Sequence, residues 1–467
     1  MEMTANHDLP SPGTKEGFQP KTASPSQGAQ IVGDRDFAGK MEWLGRSHIT
    51  YHASPTTVRL TKRDTKGQRS LADLCKSTIP ACNLNPFLWN GHLQTVWTTL
   101  VPDYLPPIYY KRKTFEADEK CFAGSFSVDF VVQEGAEEDP SLPKNTSYFK
   151  EHEDISSTDH KPMLIVLHGI AGGSSEAYVR DVLVSLTSNG KWAACVLLSR
   201  GCARSKITSR LLYNGRSTWD LRQTVKWLRL QYPNRPLFAM GFSLGANILT
   251  SYLADEGRDC HLKAAVVCSN PWNLELSSWS MRRSWIGSEI YSRSIANGLK
   301  AYVQLHKEEI REFCTNINLE RVNKTVYFHE FDEEVTAPAG GYPTAGAYYR
   351  DGSSVDALLA VRVPLLALNA LDDPIVPEEC LPFANARLNP YCVLCTTTLG
   401  GHLGWFELGG NRWVTRAAER FLNSLVDDFD MSQSPEIVPC SEPVDQSPPG
   451  LTFDPTQRRL HFRSLSE

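Results

Sequence analysis

The chain has 467 residues, of which 41% are hydrophobic and 22% are charged, and its formal net charge at pH 7 is −5. This composition is typical of a globular protein, and the slight acidic excess gives no general attraction for nucleic acid, so we expect no nucleic-acid partner. No stretch approaches the roughly 18 consecutive apolar residues of a membrane-spanning helix, so we expect no transmembrane segment.

The first segment, residues 1–35, is rich in Pro, Ser, Gly, Lys and Gln and has almost no large apolar side chain. Such a composition cannot bury enough surface to offset the entropy lost on folding, so we predict a disordered N-terminal tail. The first residues also lack the basic and apolar segments of a secretory signal, which favours a cytoplasmic location. The 12 cysteines are therefore expected to be mostly free thiols.

An N-terminal extension is predicted over residues 41–160, with many aromatic residues and prolines up to about residue 137. Within it, the alternation of apolar and polar residues from Ser125 to Val132 predicts an antiparallel opening strand. A charged linker rich in Ser and Thr closes the extension from about residue 138 onward.

From residue 161 to about residue 429, short apolar runs alternate with amphipathic stretches of helical periodicity. The runs that we predict as strands are 164–167, 194–198, 236–242, 264–268, 364–368 and 392–397. Helices are predicted after Ser217, over 244–256 and over 413–429. This alternation predicts an α/β domain with a mostly parallel sheet and helices on both faces.

Two segments depart from this alternation. Residues 273–363, rich in Trp, Arg, Glu and Ser, are too many for an ordinary connection, so we predict a helical insertion that acts as a lid. Residues 430–467 are dominated by Pro, Ser and charged residues, which predicts a disordered C-terminal tail.

A nucleophilic serine is indicated by Gly241-Phe242-Ser243-Leu244-Gly245, which fits G-x-S-x-G. The motif lies between a predicted strand that ends at Phe242 and a predicted helix that begins at Leu244. In a nucleophile elbow the serine backbone is strained and crowded, so small residues are needed two positions away on each side. We therefore predict that Ser243 is a nucleophile.

A serine nucleophile needs a base and an acid, and in α/β hydrolases both follow the serine, with the acid first. The strand over 364–368 leads into Asp372 and Asp373, and we favour Asp373 because the prolines that follow turn the chain at once; Asp372 is the alternative. After the next strand, glycines flank His402, which lets its loop reach the serine. The order Ser243, Asp373, His402 predicts a catalytic triad.

Two backbone amides are expected to bind the oxyanion of the transition state. The amide of Leu244 provides one, and the turn after the 164–167 strand provides the other, with Ile170 favoured and Ala171 as the alternative. His168 in the same turn is interpreted as a structural residue.

Two further patterns resemble metal or redox sites. Cys392 and Cys395 have C-x-x-C spacing, but no second pair completes a zinc set, so we interpret them as buried strand cysteines. The acidic run 329–334 lacks the H-E-x-x-H spacing and is interpreted as a solvated face. We expect no metal and no cofactor.

Several motifs together resemble a known family: the fungal medium-chain fatty acid ethyl ester synthases/esterases, within the YheT-type α/β hydrolases that also include animal abhydrolase-domain lipases. The segments that carry this resemblance are 91–95 (Gly-His-Leu-Gln-Thr), 167–174, 200–202, 213–215, 241–247, 372–374 and 401–402. It covers the chain from about residue 85 to the last helix.

The resemblance implies an α/β-hydrolase fold, with Ser243 as nucleophile, Asp373 as charge-relay acid and His402 as base. It also implies a short- to medium-chain acyl ester as substrate, which is either hydrolysed or formed by acyl transfer from acyl-CoA or another thioester to an alcohol. A non-catalytic binding protein of this fold is the third alternative, since such proteins usually lose a triad member. Peripheral contact with a lipid droplet or organelle membrane through Trp272, Trp279 and Trp285 is a further hypothesis.

Overall fold

A ten-stranded sheet lies at the centre of the computed structural model, which describes residues 45–100, 105–133, 139–437 and 451–462. In chain order the strands are β1 (Ile49–Ala53), β2 (Tyr109–Glu116), β3 (Ser125–Val132), β4 (Thr146–Tyr148), β5 (Met163–Leu167), β6 (Ala193–Leu198), β7 (Leu237–Phe242), β8 (Leu262–Cys268), β9 (Leu365–Ala370) and β10 (Cys392–Thr397). Their order in space is β1-β10-β9-β8-β7-β5-β6-β3-β2-β4. All seven strands predicted from the sequence are confirmed, and their bounds differ by no more than two residues.

The six strands β5 to β10 form one parallel block. Strands β3 and β1 flank this block and pair with it antiparallel, as the alternation in β3 predicts. Every residue of β5, β7, β9 and β10 is buried, because helices cover both faces of the sheet. The predicted α/β fold with a mostly parallel sheet is confirmed.

Helices surround the sheet. In chain order they are α1 (Leu71–Thr78), α2 (Gly91–Leu100), α3 (Ala177–Thr187), α4 (Trp219–Gln231), α5 (Leu244–Glu256), α6 (Leu274–Arg283), α7 (Arg293–Leu305), α8 (Lys307–Phe313), α9 (Leu319–Lys324), α10 (Phe328–Phe331), α11 (Ala337–Ala339), α12 (Ala345–Gly352), α13 (Phe383–Leu388) and α14 (Trp413–Asp428). Residues of α1, α3 and α14 pack in one core with Leu164 and Val166, whereas α4, α5 and the insertion pack in the other with Ile165. The two cores therefore lie on opposite faces of the sheet, since neighbouring strand residues point to opposite sides.

Chain order reverses at β5, whose two neighbours are β6 on one side and β7 on the other. In open parallel sheets, ligands bind outside the carboxyl ends of the strands at such a switch point. Ser243 follows β7 directly, and the turn that contains Ile170 follows β5. The topology thus places the predicted nucleophile beside the predicted oxyanion loop.

The segment between β8 and β9 is helical, as the sequence predicts. It contains α6 to α12 and two π-helical segments, Gly287–Ser292 and Asp332–Thr336. Leu299, Val303 and Phe331 join the core that covers the α5 face of the sheet. The insertion is therefore packed on the domain next to the carboxyl ends of the central strands.

The C-terminal segment departs in part from the predicted disorder. Leu451–Asp454 and Arg459–Phe462 form an antiparallel hairpin, and Glu436 pairs with Arg59. Phe453 and Leu460 are 42% and 47% exposed, so neither side chain is buried. The predicted tail of residues 1–35 lies outside the described residues. Among the helices that the structure describes, none is long and apolar enough to span a bilayer.

Candidate active site

Ser243 occupies a sharp turn between β7 and α5, as predicted. Its backbone is strained, with φ 51° and ψ −120°, a conformation that a non-glycine residue adopts only where the surroundings impose it. A Cβ on Gly241 would lie 2.6 Å from the carbonyl oxygen of Gly245, and one on Gly245 would lie 2.5 Å from that of Leu167. Only glycine fits at both positions, which is the steric requirement of a nucleophile elbow.

Of the three predicted triad residues, His402 lies within hydrogen-bond distance of both Ser243 and Asp373. His402 Nε2 is 2.9 Å from Ser243 Oγ, and His402 Nδ1 is 2.8 Å from Asp373 Oδ2. Asp373 and His402 are buried, with 2% and 8% of their surface exposed. Such an arrangement can supply a serine hydroxyl with a base and the base with a carboxylate that fixes its tautomer.

The two neighbouring aspartates differ in what they contact. Asp373 Oδ1 accepts the backbone amides of Ile375 and Val376 at 2.8 and 2.9 Å, which leaves Oδ2 for His402. Asp372 instead accepts a hydrogen bond from the backbone amide of Gly401 at 2.9 Å. Burial raises the pKa of Asp372 to about 7. The geometry therefore favours Asp373 over Asp372 as the partner of His402.

The predicted oxyanion donors line the same cavity as Ser243. Among the described residues, neither the Leu244 amide nor the Ile170 amide donates to a protein acceptor. The amide of Ala171, the alternative, donates to Tyr213 Oη at 3.0 Å and is occupied. This leaves Leu244 and Ile170 as the pair available to a substrate oxygen.

His168 stabilises the turn that contains Ile170. Its Nε2 accepts the amide of Ser199 at 3.1 Å, and its Nδ1 donates to the carbonyl oxygen of Gly169 at 2.7 Å. Burial lowers its pKa to about 4, so the ring is neutral at pH 7. A neutral ring with both nitrogens occupied cannot act as a base, which fits the structural role predicted for it.

An apolar cavity of about 860 Å³, including its mouth, opens at Ser243. The insertion provides much of its wall, through Leu274, Met281, Ile295, Leu299, Phe331 and Val335. Among the described residues that line the cavity, Asp332 is the one with an acidic or basic side chain. Its carboxylate accepts a hydrogen bond from the hydroxyl of Tyr349, with an O–O distance of 2.8 Å. Burial raises the pKa of Asp332 to about 7. The interpretation of 329–334 as a solvated face is therefore wrong for Asp332, which is 2% exposed.

The exposure of each side chain tests the predictions made for two cysteines and three tryptophans. Cys392 and Cys395 are buried in β10, as expected of strand cysteines. Trp272 is fully buried and donates its indole N–H to Asn369 Oδ1 at 3.1 Å, so it cannot contact a lipid surface. Trp279 and Trp285 are 52% and 73% exposed. The lipid-contact hypothesis is therefore wrong for Trp272.

Comparison with protein families agrees with this fold. A family model described as alpha/beta hydrolase fold matches residues 162–395, which is half of the chain. The chain belongs to the α/β hydrolase family. The predicted resemblance to this family is confirmed.

This α/β hydrolase is similar to proteins named as lipases and esterases. It is 35% identical to the monoacylglycerol lipase of Saccharomyces cerevisiae over 363 residues, which cover 73% of this chain and 80% of the relative. It is 31% identical to medium-chain fatty acid ethyl ester synthase/esterase 2 of the same yeast over 421 residues, or 79% and 92% of the two chains. Identity to the putative esterase YheT of Escherichia coli is 32% over 258 residues, or 55% and 74%. These relatives support ester hydrolysis as the activity.

Proposed function

We propose that this α/β hydrolase is a serine-dependent carboxylic ester hydrolase that acts on short- to medium-chain acyl esters through an acyl-enzyme. The observation that carries the proposal is the hydrogen-bonded series Ser243–His402–Asp373 at the mouth of an apolar cavity. Because all three residues are present and hydrogen-bonded, this series also argues against a non-catalytic binding protein, which would usually lack one of them.

Acylation begins when His402 Nε2 takes the proton of Ser243 Oγ and the oxygen attacks the ester carbonyl carbon. The carbonyl π pair moves to the oxygen, which the amides of Leu244 and Ile170 bind. Asp373 stabilises the imidazolium, whose Nδ1–H points at its carboxylate. The intermediate collapses when the bond to the alcohol oxygen breaks, and His402 gives its proton to the leaving alcohol.

Deacylation repeats these steps with a second acceptor. Water, deprotonated by His402, attacks the acyl-enzyme, and the acid leaves as Ser243 Oγ regains its proton. An alcohol in place of water would give a new ester. The acceptor that enters the cavity therefore decides between hydrolysis and acyl transfer.

The cavity supports an acyl group of short to medium length. Its wall is mostly apolar, which suits the hydrocarbon part of an acyl group. Burial of the acyl chain against the wall contributes roughly 0.8 kcal/mol per CH₂ group. Selectivity for chain length should follow from how far the insertion residues Met281, Leu299 and Phe331 let the chain extend.

Alcohol acyltransferase activity is the second candidate, because one relative is named an ester synthase and the apolar wall favours an alcohol over water. The donor would be an acyl-CoA or another acyl thioester. Incubation with octanoyl-CoA over a series of ethanol concentrations measures the ratio of ethyl octanoate to free octanoate. A ratio that rises with ethanol supports the transferase, whereas free acid alone at every concentration excludes it.

We also propose peripheral contact with a lipid droplet or organelle membrane. Trp279 and Trp285 are exposed in or next to α6, whose other face contributes Leu274 and Met281 to the cavity. Arg283 lies 4.4 Å from the Trp279 ring centroid, a pairing of aromatic and cationic groups that suits a lipid interface.

The test of the main proposal is hydrolysis of p-nitrophenyl esters of two to twelve carbons by the full chain and by Ser243→Ala. We expect the wild type to peak at short to medium chains and the variant to lose at least about 1,000-fold in kcat. A folded Ser243→Ala variant with wild-type rates would refute the serine mechanism.

A further inference from the structure

The loop that follows β10 and carries His402, here called the histidine loop, is hydrogen-bonded to helix α2. The residue of α2 that makes this bond, Thr95, lies 307 residues before His402 in the chain. The hydroxyl of Thr95 in α2 accepts the backbone amide of His402 at 2.8 Å. The same hydroxyl donates to the carbonyl oxygen of Gly91 at 2.6 Å, which fixes its orientation. Thr95 is 7% exposed, so water does not compete freely for the His402 amide.

A second side chain of α2 binds the far end of the same loop. Gln94 Oε1 accepts the amide of Phe406 at 2.8 Å, and its Nε2 donates to the carbonyl oxygen of Leu88 at 3.1 Å. Gln94 is fully buried. Both polar ends of its amide are therefore occupied, so the side chain has one orientation.

The helix is also in direct contact with both catalytic loops. A Cβ on Gly404 would lie 2.9 Å from the carbonyl oxygen of Gln94, and one on Gly91 would lie 2.7 Å from the carbonyl carbon of Asp372. Asp372 in turn accepts the amide of Gly401. Helix α2 thus touches the loop that follows β9, which carries Asp373, and the loop that follows β10, which carries His402.

The histidine loop is strained and needs such support. Gly401, Leu403 and Trp405 have φ values of 61°, 58° and 50°, and two of these residues are not glycine. Backbone of this kind is strained and persists only where the surroundings determine it. The bonds from α2 lie at His402 and Phe406, on either side of the two strained non-glycine residues.

We propose that Thr95 and Gln94 are positioning residues that hold His402 at the distance needed to deprotonate Ser243. This inference rests on the proposed serine mechanism and adds to it a segment that lies outside the predicted catalytic domain. The Thr95 hydroxyl fixes the backbone of the base, and the Gln94 amide fixes the end of its loop.

The test compares three substitutions in the full chain with p-nitrophenyl octanoate as substrate. Thr95→Val keeps the shape and removes the hydroxyl, whereas Thr95→Ser keeps the hydroxyl. Thr99→Val is the matched control, because the Thr99 hydroxyl is exposed and donates only to Val96 of the same helix. We expect Thr95→Val to lower kcat about 10- to 100-fold with little change in KM, since a small misplacement of a catalytic group costs that much. Thr95→Ser and Thr99→Val should stay near wild type.

A pH profile separates positioning from a purely structural role. If Thr95 positions His402, the acid limb of kcat/KM, which reports the base, should shift in Thr95→Val and return in Thr95→Ser. Equal kcat and an equal profile in folded Thr95→Val would overturn the inference while leaving the serine mechanism intact, which Ser243→Ala tests separately. If Thr95→Val does not fold, Gln94→Met gives the second test: a lower kcat at unchanged KM supports positioning, and wild-type kcat overturns it.

Discussion

Replacing Asp373 with Asn tests the identity of the acid. Asp373 Oδ1 accepts two backbone amides, so the oxygen of the asparagine should keep that position and its NH₂ group should face His402. A donor at that point favours the tautomer with its proton on Nε2, which cannot accept the proton of Ser243. The loop should stay folded while the base is disabled.

The size of the effect follows from the burial of the pair. The imidazolium formed during acylation lies 2.8 Å from a carboxylate that is 2% exposed. Removing one partner of such a buried pair costs about 3–5 kcal/mol. At about 1.36 kcal/mol for each factor of ten, kcat should fall about 160- to 5,000-fold.

The assay is steady-state release of p-nitrophenol from p-nitrophenyl octanoate at pH 8, which gives kcat, with Asp372→Asn as the matched control. Burial raises the pKa of Asp372 to about 7, and asparagine can still accept the Gly401 amide, so this variant should retain at least about one third of wild-type kcat. The reasoning fails if Asp372→Asn loses activity and Asp373→Asn keeps it, since the acid would then be Asp372.

Two further predictions concern stability and lipid contact. Burial raises the pKa of Asp332 from 3.8 to about 7, so the folded state loses stability as the pH rises between those values. Asp332→Asn should therefore raise the free energy of unfolding at pH 8 by at most about 4 kcal/mol, and by far less at pH 4. Urea denaturation at the two pH values measures this gain. An equal gain at both would contradict the reasoning. In co-sedimentation with phosphatidylcholine–phosphatidylserine vesicles, Trp285→Ser should lower binding at least about threefold, whereas Leu388→Ser, at another exposed apolar residue, should not. Equal binding by both variants would remove the lipid-contact proposal.

Much of the catalytic domain could be predicted because its signals are local. Each central strand is a short apolar run, and the turn at Ser243 needs glycine at 241 and 245 for steric reasons that the motif itself displays. The order of strands and loops then restricts the candidate base to His402. Local pattern and fold agree at these positions.

The rest depends on contacts between distant parts of the chain. Nothing in 91–95 indicates that a threonine hydroxyl binds the amide of His402, because that contact exists only after the sheet has formed. Asp332 could not be placed in the cavity, since an acidic run has the same appearance whether it faces solvent or lines a pocket. The choice between Asp372 and Asp373 likewise depended on side-chain direction, which the sequence does not show.

The most direct test of the central claim is the site of covalent labelling by a fluorophosphonate. Intact wild-type protein is treated with the probe and digested, and the modified peptide is identified by mass spectrometry. We expect one adduct, on Ser243, formed at a rate that falls in Asp373→Asn and absent in Ser243→Ala. Labelling of another residue, or equal labelling of folded Ser243→Ala, would contradict the proposal that Ser243 is the nucleophile.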